Sequence, residues 1–287
     1  IFQPFFTSKN KRLKIGLFQA KSRIYQACTR IFFKIGYNAT LLSEEVKMAK
    51  TAVCIPTYNE KENILAIIQA VHAELPEAEI LIVDDSSPDG TAALVENFSK
   101  DNPFVSIKVR EKKEGLGAAY LDGFSTLIEK GCEKIIQMDA DFSHKPEYLP
   151  EMVKKLDEGY TVVVGSRYVK GGGTENWSID RRIISRGGSL YASTILGLGV
   201  HDVTAGFKCW NAKLLEKVIS TPLVLSGFGF QIEMAFRTKI CGGRVFELPI
   251  IFPDRTEGTS KMSGKIFKEA LFGVWKLRFL GRKIMEK

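Results

Sequence analysis

The sequence predicts an α/β protein built on a mainly parallel central sheet with helices on both faces. Three observations predict it. Short apolar runs alternate with stretches of helical spacing from Thr51 to Gly165, the pattern of right-handed βαβ units. The first two runs, Thr51–Ile55 and Ile80–Val83, read as buried strands, as a sheet covered on both faces requires. Acidic residues stand just past the carboxyl ends of several runs, where ligand crevices of such sheets lie.

The elements follow in order. Thr51-Ala-Val-Cys-Ile55 reads as a buried strand and Pro56-Thr-Tyr-Asn-Glu60 as the loop after it. Asn63 to Leu75 carries Ile64, Ile67, Ile68, Val71 and Leu75 at helical spacing. Ile80-Leu-Ile-Val83 is a second strand ending in Asp84-Asp85. Ser86-Ser-Pro-Asp-Gly90 has the composition of a turn, and Thr91 is the expected cap of a helix over Ala92–Phe98. A third strand is expected at Val105–Val109 and a third helix at Gly117–Ile128. The fourth strand, Ile135–Met138, ends in Asp139-Ala-Asp141; a helix over Tyr148–Asp157 and a fifth strand at Thr161–Gly165 follow.

The second half is less regular. Gly171-Gly-Gly173 and Gly187-Gly188 suggest loops, and Ile179–Ser189 is basic through Arg181, Arg182 and Arg186. A helix is expected at Phe228–Ile240, with Glu233 inside an apolar stretch, then a strand at Gly243–Phe252. Asp254-Arg255, Gly258 and Ser260-Lys261 form a polar loop, and Lys265–Leu280 a basic amphipathic helix suited either to packing or to a membrane surface.

Composition sets limits. The 287 residues are 45% hydrophobic and 26% charged, values that exclude a disordered chain, a collagen-like repeat or a disulfide-stapled miniprotein. No run approaches the roughly 18–20 apolar residues of a membrane span; the nearest, Ser189–Val200, is short and glycine-broken. The five cysteines and three histidines are dispersed, which argues against a zinc site or disulfide framework and fits a reducing cytoplasm.

The net charge of +8 is uneven. Residues 1–47 hold nine Lys/Arg and two Glu, residues 264–287 seven and two, so the middle is mildly acidic. Two basic appendages on a separate body are therefore expected, rather than a nucleic-acid surface spread over the protein. The expected organisation is a basic extension over 1–47, a globular domain over 48–263 and a C-terminal helix over 264–287. Met48 as the native start, with translated upstream sequence before it, is the expectation for the extension; a transit peptide is the alternative.

Asp139-Ala-Asp141 at a buried strand end offers hard carboxylate oxygens suited to Mg²⁺ or Mn²⁺, with Asp84-Asp85 in a parallel position. Gly115-Leu-Gly117 lacks the third glycine of a dinucleotide fingerprint, where Tyr120 stands, and reads instead as room for a helix to start close to the sheet. Arg167, Arg255 and Lys261 are candidate phosphate contacts. Trp177 could stack on a sugar or lie in the core, and Glu233 could be a site residue or half of a structural ion pair.

Five segments occur in order: Cys54-Ile-Pro-Thr-Tyr-Asn-Glu60, Val83-Asp-Asp-Ser-Ser-Pro-Asp-Gly90, Gly115-Leu-Gly-Ala-Ala-Tyr120, Met138-Asp-Ala-Asp-Phe-Ser-His144 and Gly165-Ser-Arg-Tyr168. Together they resemble the inverting family 2 glycosyltransferases of the GT-A fold. Ile184-Ser-Arg-Gly187, Thr204-Ala-Gly-Phe207, Gly229-Phe-Gln-Ile-Glu-Met234 and Asp254-Arg-Thr-Glu-Gly-Thr-Ser-Lys261 are similar to the dolichol-phosphate or polyprenol-phosphate mannose synthases within it. The resemblance spans roughly residues 50–262.

The resemblance implies transfer of mannose from GDP-mannose to a dolichyl or polyprenyl phosphate, with inversion. It implies that Pro56, Tyr58, Glu60, Val83 and Asp85 hold the nucleoside. Asp139 and Asp141 would bind Mg²⁺ or Mn²⁺ on the diphosphate, with the Ala140 backbone nearby. Asp141, Arg167 and Arg255 would be the catalytic residues, and Arg167, Arg255 and Lys261 would touch phosphates of donor and acceptor. Ser143 replaces a stronger third metal contact of some relatives and is left out of the set. The implied location is the cytosolic face of a membrane, with or without small membrane-anchoring subunits and with no nucleic acid. Two alternatives are a related transfer from another donor such as UDP-glucose, and a non-catalytic nucleotide-binding subunit.

Overall fold

The computed structural model describes residues 50–254 except 228, and residues 264–286, with side chains of the last segment described from Leu271 onward. Arg255, Lys261 and the extension 1–47 lie outside the described residues.

The described residues form nine strands and eight α-helices, numbered in chain order. The strands are β1 (Thr51–Thr57), β2 (Glu79–Asp84), β3 (Val105–Val109), β4 (Lys134–Gln137), β5 (Val162–Ser166), β6 (Gly173–Thr174), β7 (Lys208–Asn211), β8 (Val245–Pro249) and β9 (Ile251–Phe252). The helices are α1 (Ile64–Glu74), α2 (Thr91–Ser99), α3 (Leu116–Glu129), α4 (Leu149–Asp157), α5 (Ile179–Leu196), α6 (Ala212–Val218), α7 (Gly229–Ile240) and α8 (Gly264–Leu280).

Seven strands form one sheet in the order β3-β2-β1-β4-β7-β5-β8, and β6 pairs with β9 in a small second sheet. All pairings in the large sheet are parallel except those of β7, which runs antiparallel to both β4 and β5. One face is covered by α1 and α4 through Ile64, Ile68, Leu149 and Met152. The other is covered by α3, α6 and α7 through Tyr120, Phe124, Leu215 and Phe230. A third apolar cluster joins α5, α7 and α8 through Ala192, Leu196, Phe236, Val274 and Leu277. The layered α/β architecture is the expected one, and strands one to five fall within a residue or two of the apolar runs.

Several local expectations are corrected. Thr91 is the first residue of α2 rather than its cap; Gly90 caps it at φ 87° with no side-chain bond. The Thr91 hydroxyl instead donates to Asp89 and accepts the Glu60 amide, tying the loop after β1 to the start of α2. Gly117 does not admit α3 to the sheet: a Cβ there would meet the Phe230 ring at 3.1 Å. The sheet contact belongs to Gly123, where a Cβ would lie 2.4 Å from Cys54 Sγ and 2.9 Å from Val83 Cγ2.

Gly187 and Gly188 are not in a loop but inside α5. That helix was signalled by Ser178, whose hydroxyl caps it by accepting the Arg181 amide, and by left-handed Gly197 at its end. The expected strand over Gly243–Phe252 divides at Ile250 into β8 and β9, which join different sheets. Strand β7 carries no signal in the sequence: Lys-Cys-Trp-Asn is four residues long with polar ends, too short to display a period.

Candidate active site

Parallel pairing of β2, β1 and β4 brings the ends of these strands to one rim. Antiparallel β7 delivers its beginning, the turn Asp202–Phe207, to the same rim. The sequence-predicted residues on β1, β2, β4 and β5 or just beyond them are therefore gathered along one side of the sheet.

Asp84 and Asp85 have different fates. Asp84 is fully buried and accepts the Thr57 hydroxyl at 2.8 Å, the Ser87 amide at 2.8 Å and the Ser87 hydroxyl at 2.6 Å. It holds the turn together rather than facing a ligand. Asp85 pairs with Arg110, whose Nη1 lies 2.5 Å from Oδ1. The same guanidinium reaches Glu114 at 2.6 Å and Asp122 at 3.5 Å. Arg110 directly follows β3, so the rim carries a built-in cation. The acidic rim is thus partly neutralised before any ligand arrives.

The shelf around Asp85 is made by β1. Pro56 is buried in that strand opposite Val83, which is itself fully buried. Tyr58 is exposed, and Lys113 Nζ lies 3.2 Å from its ring centroid. Glu60 is half-buried, with Oε2 accepting from Asn63 at 3.3 Å. An exposed aromatic face next to a fixed carboxylate can stack a planar ring and accept from its N–H groups.

The Asp139-Ala-Asp141 pair lies just past the end of β4, the strand beside β1. Asp139 Oδ1 accepts the Tyr120 hydroxyl at 2.6 Å. The Asp139 amide donates to His144 Nδ1 at 2.9 Å, which places the neutral ring's proton on Nε2. His144 is buried and stacked on Phe207, with ring centroids 4.9 Å apart. Asp141 Oδ1 accepts the Ser143 amide at 3.0 Å. Ala140 is buried between the two. Burial, with the Asp139 carboxylate beside it, raises the Tyr120 phenol well above its ordinary pKa, so it remains a donor.

These residues fit a hard divalent cation. Tyr120 engages one oxygen of Asp139, and the Ser143 hydroxyl is buried without a hydrogen-bond partner, so a polar atom next to Asp141 awaits one. Among the described residues no group of three or more His, Cys, Asp and Glu forms a closed metal cage. Two carboxylates suit an ion that keeps waters and substrate phosphate oxygens among its ligands.

Arg167 follows β5 and is bound two-handed by fully buried Asp202. Nε lies 2.7 Å from Oδ2, Nη2 2.7 Å from Oδ1, and Nη2 also donates to Thr204 at 3.0 Å. Three of its five N–H donors are thereby used. Asp202 is fixed in turn, its amide donating to Glu247 Oε1 at 2.9 Å. Trp177 is buried, with the Arg181 guanidinium 3.9 Å from its ring centroid, and Arg181 pairs with Asp254 at 2.6 Å. Glu233 proves structural: it and Arg237 are fully buried, 2.7 Å apart, and Glu233 also accepts the Val224 and Leu225 amides. Tyr120, Arg110, Asp202 and His144 were missed as supports; the motifs containing Tyr120 and His144 were the available signal.

Among the described residues no helix is long and apolar enough to cross a membrane. Exposed Phe272, Trp275 and Phe279 line α8, beside exposed Lys276 and Arg278. Exposed Ile179, Ile183 and Leu190 lie on α5.

A mainly parallel sheet with an Asp-x-Asp pair at the carboxyl-end rim is the layout of a glycosyltransferase. The chain belongs to glycosyl transferase family 2, whose profile matches residues 52–219. It is 42% identical over 232 residues to polyprenol monophosphomannose synthase of Mycolicibacterium smegmatis, covering 80% of this chain and 88% of that one. It is 41% identical over 220 residues to undecaprenyl-phosphate mannosyltransferase of Micrococcus luteus, covering 77% and 90%. The fold is also that of glucosyl-3-phosphoglycerate synthase from Mycobacterium tuberculosis. Its complex with Mn²⁺, UDP and glucosyl-3-phosphoglycerate superposes with a TM-score of 0.59 at 18% identity, covering 85% of this chain and 84% of that one. Its complex with Mg²⁺ and UDP gives a TM-score of 0.60 at 17% identity, covering 84% and 83%.

Proposed function

We propose that this chain transfers mannose from GDP-mannose to the phosphate of a polyprenyl or dolichyl phosphate, forming polyprenyl phosphate β-mannose and GDP. The observation that carries the reading is the braced Asp139–Asp141 pair at the rim, in a chain so similar to two mannosyltransferases of polyprenyl phosphates.

In this reading Pro56, Val83 and Glu60 shape the base and ribose shelf, Tyr58 stacks on the guanine and Asp85, oriented by Arg110, accepts from it. Asp139 and Asp141 hold Mg²⁺ or Mn²⁺ beside the Ala140 backbone. When bound, such an ion neutralises charge that builds on the departing diphosphate. The acceptor phosphate oxygen forms a bond to the anomeric carbon as the bond from that carbon to the GDP oxygen breaks, inverting the centre. A phosphomonoester, with a second pKa near about 6, is already mostly ionised at neutral pH. No general base is needed, only cations that aim it. Arg167 supplies the two Nη1 donors that Asp202 and Thr204 do not occupy, and Arg255 and Lys261 supply further charge.

The chain works at the cytosolic surface of a membrane, where its lipid acceptor resides, alone or with small anchoring subunits. Radiolabelled GDP-mannose, polyprenyl phosphate and Mg²⁺ or Mn²⁺, followed by lipid extraction, tests the reading. Label in the organic phase from GDP-mannose supports it. Label from UDP-glucose alone would reassign the donor, and none from either would overturn the transfer.

A further inference from the structure

We infer that Tyr120 is a positioning residue that sets the direction of the Asp139 carboxylate toward its cation. The inference rests on the metal reading of Asp139 and Asp141 proposed above.

Tyr120 lies in the first turns of α3, fully buried, its ring 5.6 Å from that of Phe124 and 6.0 Å from that of Phe230. Gly117 lets Phe230 come this close, since a Cβ there would meet its ring at 3.1 Å. The phenol is therefore fixed by packing before it makes any bond. Its one polar side-chain atom donates to Asp139 Oδ1 at 2.6 Å. A buried hydroxyl needs some acceptor, but this one is engaged by a carboxylate that reaches the rim, with 22% of the Asp139 side chain exposed.

Asp139 is restrained at its other end as well, where its amide donates to His144 Nδ1. With backbone and Oδ1 both fixed, rotation about the Cβ–Cγ bond is stopped and Oδ2 has one direction. Gly206 stands beside it: a Cβ there would lie 3.7 Å from Asp139 Oδ2 and 3.3 Å from His144 Cε1. The clearance that Gly206 gives is thus to the His144 ring that holds the Asp139 backbone, so the carboxylate is braced through both its amide and its Oδ1. Hydrogen bonds behind metal ligands typically govern about 10–100-fold in metal affinity.

Tyr120→Phe removes a single oxygen and keeps the core volume. Mn²⁺ is titrated into the full chain with and without GDP, and free Mn²⁺ is read by electron paramagnetic resonance, beside thermal unfolding. Phe124→Leu serves as a packing control that loosens the same pocket and keeps the hydroxyl. The expected result is about 10–100-fold weaker Mn²⁺ binding in Tyr120→Phe and near wild-type binding in Phe124→Leu, even where the control melts lower. Wild-type Mn²⁺ affinity in Tyr120→Phe, together with its loss in Asp139→Asn, overturns the role of Tyr120 and leaves the metal reading intact. Equal weakening in Tyr120→Phe and Phe124→Leu also overturns it, because packing would then be the cause. Unchanged affinity in Asp139→Asn overturns the metal reading and this inference together.

Discussion

Asp202 grips Arg167 through the Nε–Nη2 edge of the guanidinium and, with the same Oδ2 that Nε meets, accepts the backbone amide of Arg167 at 2.9 Å. A fully buried carboxylate thus locks the residue that follows β5 to the turn that leads into β7. Removing it leaves a buried cation without its counter-ion. Asp202→Ala should cost about 3–5 kcal/mol of stability, read by urea unfolding. Arg167→Lys should not conserve the pairing, because an ammonium cannot span both oxygens. Wild-type stability in either variant would show that the pair does not brace the rim.

Asp141→Asn removes one of the two rim carboxylates assigned to the cation while keeping the side-chain shape. Turnover should fall about 100-fold or more, the scale typical of losing a key electrostatic contact. Chelation with EDTA should abolish wild-type transfer, and Mg²⁺ or Mn²⁺ should restore it. Initial-rate measurements check both, and full activity in EDTA would remove the cation from the mechanism.

Burial pushes the Lys208 ammonium down to about 7, with Asp202 favouring the charged form and Arg167 opposing it. Its ammonium donates to Gln231. Unfolded, the group titrates near its ordinary 10.5, so between about 7 and 10.5 the unfolded chain binds more protons than the folded one. Stability contributed at this site therefore rises with pH across that window, and the burial penalty is complete below it. Lys208→Met should flatten the slope and stabilise the fold most at or below neutral pH. Denaturant midpoints from pH 6.5 to 10 would test this; parallel curves for the two proteins would contradict it.

Trp275 is exposed, whereas Trp177 and Trp210 are buried. The indole on α8 is thus a natural reporter of contact with lipid. Vesicles containing anionic lipid should blue-shift its emission, and brominated acyl chains should quench it. Replacing Phe272 and Phe279 together with Ser should weaken vesicle binding by about 10-fold or more, and high salt should weaken it further. Emission unchanged by vesicles would remove α8 from the membrane surface.

The first half of the sheet was legible because β1, β2 and β5 are built on continuous apolar runs closed by polar or turn residues, while β3, Val-Ser-Ile-Lys-Val, alternates with the period of a strand. The site carboxylates were legible for the same reason, since the end of a run locates the rim. Periodicity reports that a side chain is covered but not what covers it. The pairing of Tyr120 with Asp139, of Arg110 with Asp85 and of Arg167 with Asp202 spans 19, 25 and 35 residues respectively. Each depends on helix placement and strand order that no local window holds. Glu233 shows the opposite limit: a lone acid on an apolar helix has the same pattern whether it serves chemistry or, as here, a buried pair with Arg237.

Strand order also bears on how the chain is made. The sheet neighbours of β5 are β7 and β8, and both emerge from the ribosome after it. Val162-Val-Val164 must wait without a hydrogen-bonding partner until residues 208–211 have been synthesised, while β1 to β4 can already assemble. A β-branched run held unpaired is a template for association with other nascent chains. Fragments that stop between β5 and β7 should therefore collect as insoluble aggregates, and chaperone capture should concentrate at that stage of translation.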